Sequence, residues 1–139
     1  MNIRLGDSEE YVKISAWREA YQGGTTEPDI FAAVEVRARG FLATIGTVVA
    51  RGDWETFVTA VSNLDEQRRG EALLQSADGR ELLLRIYKAD SAGHMAVSGE
   101  IARPDMHSAP RFTFERIPFD PTVLPYLLAE LRAIESSCR

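Results

Sequence analysis

The stretch from Gly70 to Ile101, GEALLQSADGRELLLRIYKADSAGHMAVSGEI, constrains the fold of this chain more than any other. Leu82, Leu84 and Ile86 fall on one face of an extended backbone, with Glu81, Leu83, Arg85 and Tyr87 on the other. That period of two is the mark of a strand with one side on a core. Asp78 and Gly79 supply a tight turn, because glycine accepts a positive φ and aspartate tolerates it. Asp90 to Gly93 supply a second turn, after which His94 to Ala102 alternates again. Three consecutive antiparallel strands are therefore predicted here, and none of their residues forms a recognisable catalytic pattern.

The flanking sequence extends this pattern. Residues 2 to 5 read as a short edge strand, and Tyr11 to Trp17 as a strand with Val12, Ile14 and Ala16 turned one way. Gln22 to Asp29 is a loop by its glycine, threonine and proline content. Ile30 to Ala38 alternates clearly, with Glu35 and Arg37 facing out. Phe41 to Ala50 is apolar on both faces, which predicts cover on both sides, and Gly46 within it suggests a bulge or bend. Trp54, Phe57, Val58, Val61 and Leu64 then recur at helical spacing, with Asp53 placed as the N-cap. Arg111 to Ile117 forms a last strand, with Phe112 and Phe114 on one face and Arg111, Thr113, Glu115 and Ile117 on the other. A second helix carries Leu124, Leu127, Leu128, Leu131 and Ile134 on one stripe. Its cap is predicted at Thr122, so that Pro125 falls in the first turn, where its missing N–H costs nothing.

The order strands, helix, strands, helix lacks the alternation of parallel α/β folds. It predicts an α+β architecture: one curved, mostly antiparallel sheet of about seven strands with one inserted helix and one C-terminal helix. A chain of 139 residues fits a single domain, 1–139, with no internal repeat in its sequence. A composition of 45% hydrophobic and 27% charged residues is that of a globular protein, and no apolar run approaches the length of a membrane span. The first ten residues, MNIRLGDSEE, lack the apolar core of a secretory signal, so the expected location is cytoplasmic. Cys138 is the lone cysteine, which excludes an intramolecular disulfide and predicts an exposed thiol near the C-terminus.

Charge is unevenly distributed. The net charge is −5, and residues 1 to 36 hold seven acids against three bases, a local net of −4. Phosphate binding needs clustered Lys and Arg, so nucleic acid is not expected as a direct partner. A basic protein is the better complement, with Glu9, Glu10, Glu19, Glu27 and Asp29 as candidate contacts and Trp17, on the polar face of its strand, as a candidate anchor. His94 and His107 stand 13 positions apart, without the spacing of a helical metal pair. They are the candidates for a ligand site if folding brings them together beside a carboxylate. No cofactor or metal is implied, and the scattered carboxylates name no acid–base pair.

The series DWETFVTAVSNL, GEALLQSADGRELLLRI, GHMAVSGEI and RFTFERIPFDPTVLPYLLAEL, spread over about residues 30 to 132, resembles the WapI-like group of small bacterial proteins. The resemblance implies an immunity protein that neutralises a cognate toxin, such as a nuclease, without catalytic residues of its own. The leading expectation is thus a non-catalytic binding protein. Two alternatives stand beside it: a ligand-binding module or small enzyme that uses a cavity in the curved sheet, and a homodimeric structural module joined through an exposed sheet edge.

Overall fold

The computed structural model describes residues 1–18, 30–104 and 107–136. It contains eight strands and two α-helices in the order ββββαββββα: β1 (Asn2–Gly6), β2 (Tyr11–Arg18), β3 (Ile30–Ala38), β4 (Phe41–Val49), α1 (Arg51–Gln67), β5 (Glu71–Gln75), β6 (Leu82–Lys88), β7 (Met95–Ala102), β8 (Arg111–Phe119) and α2 (Leu124–Ser136). The architecture is α+β, as expected. The single seven-stranded sheet is corrected to two antiparallel sheets of four strands, β1-β2-β3-β4 and β5-β6-β7-β8. The reason lies in α1: it follows β4 directly, packs along β5 and separates the two meanders, so β4 and β5 never pair. The unit of four strands and a helix therefore occurs twice without any repeat in the sequence.

Each sheet buries one face. Val12, Ile14 and Ala16 of β2 and Ile30, Ala32, Val34 and Val36 of β3 join Leu82, Leu84 and Ile86 of β6 in one continuous core. The predicted stripes of both helices complete it: Trp54, Phe57, Val58, Val61 and Leu64 of α1, and Leu124, Leu127, Leu128, Leu131 and Ile134 of α2. The helices touch, and Trp54 Nε1–H donates to the Leu131 carbonyl at 3.4 Å. No helix among the described residues is long and apolar enough to cross a membrane.

Four local expectations are corrected. The α1 N-cap is Ala50, without a side-chain bond, and Asp53 lies inside the first turn. The second helical segment is capped by Asp120, whose carboxylate accepts the Thr122 N–H at 2.9 Å; a short 3-10 turn, Pro121–Val123, then leads into α2. Asp120 succeeds where Thr122 was expected because the 3-10 turn starts the helix earlier. Gly46 pairs in regular register with Ala33, and β4 has no bulge. Nor is β4 covered on both sides, since Phe41 and Leu42 are 67% and 61% exposed. Leu42 lies on the outer row with Thr44, Gly46 and Val48, whereas Phe41 stands at the exposed end of the inner row of Ala43, Ile45 and Val49.

β8 contains the irregularity that the sequence does not announce. Val97 pairs with Ile117, but Gly99 pairs with Phe114, so Ser98 faces both Glu115 and Arg116 across a bulge. Arg116 has φ 54°, and its N–H donates to Ser98 Oγ at 3.0 Å. The extra residue shifts the alternation by one. Ile117, expected to face out, is 1% exposed and joins Phe114 in the core.

Candidate functional site

The outer face of the first sheet is built by the polar half of each strand's alternation. The register sets Trp17, Phe31 and Val48 in one row across β2, β3 and β4, followed by rows of Ser15, Ala33 and Gly46, then Lys13, Glu35 and Thr44, then Tyr11, Arg37 and Leu42. The Trp17 and Phe31 rings stack with centroids 6.1 Å apart and planes within 14°. Trp17 is 41% exposed, so the residue is only partly covered.

The next row is small in all three positions, and the sheet is correspondingly hollow there. A depression of about 340 Å³ runs over Ser15, Ala33 and Gly46, bounded by Lys13 and Glu35, with Arg103 reaching in from the β7–β8 loop. Beyond it lies a mixed-charge cluster. Tyr11 donates to Glu35 Oε2 at 2.7 Å, and the Arg4 guanidinium sits 5.0 Å from the centre of the Tyr11 ring. The hydrogen bond to Glu35 raises the Tyr11 pKa above its ordinary value, so the phenol stays a neutral donor. An aromatic stack, a shallow lane and a hydrogen-bonded polar cluster on one sheet face can recognise another surface by shape and charge.

The sequence-derived acids divide. Glu9 and Glu10 lie in the β1–β2 turn, where Asp7 Oδ1 accepts both their N–H groups at 2.8 Å. Glu10 Oε1 in turn accepts the N–H of Arg39 at 3.3 Å. Trp17 lies seven residues along β2 from Glu10, about 23 Å at the rise of an extended strand, so turn and anchor occupy opposite ends of the face. Glu19, Glu27, Asp29 and Cys138 lie outside the described residues.

The two histidines are not brought together. His94 is in the β6–β7 turn with Nδ1 2.7 Å from Asp90 Oδ2, beside a surface hollow that Asp7, Pro118 and Asp120 also line. His107 is exposed in the β7–β8 loop. The length of β7, eight residues and about 25 Å, lies between them. Among the described residues no three His, Cys, Asp or Glu side chains come together to hold a metal ion. Sequence reasoning singled out Trp17 as a candidate but not its neighbour Phe31, although the alternation that turns Glu35 outward turns Phe31 the same way. It also missed the lane of small residues, which exists only once three strands are in register.

No family model matches the chain, and no curated protein or solved structure matches it either.

Proposed function

We propose that this chain is a non-catalytic binding protein that docks a protein partner on the outer face of its first sheet. The observation that carries this reading is the half-exposed Trp17 stacked on Phe31 beside a shallow lane, since a large aromatic held in place by a neighbour is the usual anchor of an interface. The separation of His94 from His107 favours it over a ligand-binding or enzymatic role for that pair. Following the resemblance to the WapI-like group, the partner is a toxin and the chain its antidote. A basic toxin suits the net charge of −5. Glu9 and Glu10 at the border of the face would meet its lysines and arginines, and the overall charge would hasten encounter.

The test is to purify the product of the neighbouring gene and measure its association with this chain across ionic strengths. Tight binding that weakens by about 2 kcal/mol or more in Trp17→Ala supports the reading. Binding indifferent to Trp17 would move the interface elsewhere, and no binding to any neighbouring product would reject the antidote role.

A further inference from the structure

β8 is the outermost strand of the second sheet, and among the described residues no strand pairs with its free side. Such an edge is a template for another strand unless something blunts it. β1, an edge strand of the first sheet, lies against β8, and its end at Gly6 shares a hollow with Pro118 and Phe119, away from Arg111. β5 runs alongside α1, and the β5–β6 turn meets β4, where the Ala77 N–H donates to the Val48 carbonyl at 2.8 Å. On β8 two features limit where pairing can occur. The bulge at Glu115 and Arg116 breaks the ladder, and Pro118 offers no N–H. What remains is the regular run Arg111–Phe114, followed by Glu115 at the near side of the bulge, with the sequence Arg-Phe-Thr-Phe-Glu.

That run is complementary to itself when reversed. A second copy laid antiparallel and centred on Thr113 sets Arg111 opposite the partner's Glu115 and Glu115 opposite the partner's Arg111. Thr113 meets its own counterpart, and the phenylalanines meet each other. Opposite charges and paired threonines are the cross-strand neighbours that stabilise antiparallel ladders. Arg111, Thr113 and Glu115 are all exposed, and Arg111, which also bonds Glu100 at 3.0 Å, is still 65% accessible. Space is available beside the edge: a groove of about 760 Å³ separates β8 from the β3–β4 turn. Phe41, 67% exposed, lies on its rim and would be covered by an incoming strand.

We propose that β8 pairs with β8 of a second copy over Arg111–Glu115, forming a two-fold dimer in which two four-stranded sheets become one of eight strands. A two-fold axis through Thr113 repeats each contact, as an isologous interface requires. The pairing uses β8 rather than the sheet that carries Trp17, and its test reads self-association alone, so its failure is distinguishable from that of the partner-docking reading.

The experiment is sedimentation equilibrium of the full chain from micromolar to millimolar concentration, with Arg111→Glu and Glu115→Arg examined singly and mixed. Each variant alone sets like charges opposite one another at two places, and dimerisation should weaken about tenfold or more. An equimolar mixture of the two variants restores opposite charges at both places, so heterodimers should form with near wild-type affinity. Unchanged circular dichroism of each variant would separate this effect from unfolding. A wild-type chain that stays monomeric to millimolar concentration would overturn the proposal. So would a dimer unaffected by either substitution, or a mixture no more associated than its components.

Discussion

Ser98 and Arg116 are joined across the β7–β8 bulge by a hydrogen bond from the Arg116 backbone N–H to Ser98 Oγ at 3.0 Å, and the same oxygen lies 2.9 Å from the Tyr87 hydroxyl. One buried hydroxyl thus serves a residue held at positive φ and a tyrosine of the neighbouring strand. Removing it leaves the bulge N–H without that acceptor. Ser98→Ala should destabilise the fold by about 1–3 kcal/mol in urea denaturation. A loss within a few tenths of that of a surface substitution would show that the bulge is held by strand geometry alone.

Gly99, next along β7, is required for a different reason. A Cβ built there would collide with the Leu83 carbonyl and come within 2.9 Å of the Phe114 ring. Because the first obstacle is backbone in the sheet ladder, it cannot rotate away. Gly99→Ala should cost about 1–3 kcal/mol, the range of overpacked cores. Wild-type stability would mean that β6 and β7 are farther apart than the pairing indicates.

Phe57 is fully buried in α1, and its ring lies 6.4 Å from that of Trp54. Truncation removes a large apolar side chain and leaves a cavity in the layer where both helices meet the sheets. Phe57→Ala should cost about 3–5 kcal/mol by denaturant titration. A loss below about 1 kcal/mol would contradict its burial.

Trp17 provides the contrasting case. Its ring is partly exposed, so Trp17→Ala should lower stability by less than Phe57→Ala while reducing partner affinity about thirtyfold, the equivalent of about 2 kcal/mol. Parallel measurements of unfolding and binding check this. Equal losses in both would identify Trp17 as structural cover.

Acid should weaken the fold through its turns. Asp7, Asp78 and Asp120 have pKa values lowered from 3.8 chiefly by backbone N–H donors, from Glu10, Arg80 and Thr122 respectively. Asp90 is lowered chiefly by its bond to the His94 side chain. A carboxyl depressed in the folded state contributes stability that is complete above its ordinary pKa and disappears as pH falls through the depressed value. Stability should therefore hold steady down to about pH 4 and decline below it. Carboxyl resonances followed by NMR should titrate below 3.8 at these four residues, and His94→Ala should return Asp90 toward 3.8. An Asp90 titration unmoved by that substitution would show that the turn N–H groups, not the imidazole, hold the charge.

Alternation and helical spacing were enough to determine the elements and most of their buried faces, with the outer face of β4 and Ile117 of β8 the exceptions. Every residue assigned to the apolar stripes of α1 and α2 is buried, because a helix in a small domain has one core-facing side and its sequence must supply it. The turns at Asp78–Gly79 and Asp90–Gly93 were equally legible, since their chemistry is local. Other features depended on residues distant in sequence. The division into two sheets follows from α1 packing along β5. The outward orientation of Arg111, Thr113 and Glu115 but not Ile117 follows from a bulge fixed by Ser98, 18 positions before Arg116. Trp17 was visible as an amphipathic candidate, but its stack on Phe31 and the adjoining lane of Ser15, Ala33 and Gly46 required three strands in register. A sequence states which side of each strand is apolar. Which strands become neighbours, and so what the polar sides form together, is decided by long-range packing against the helices.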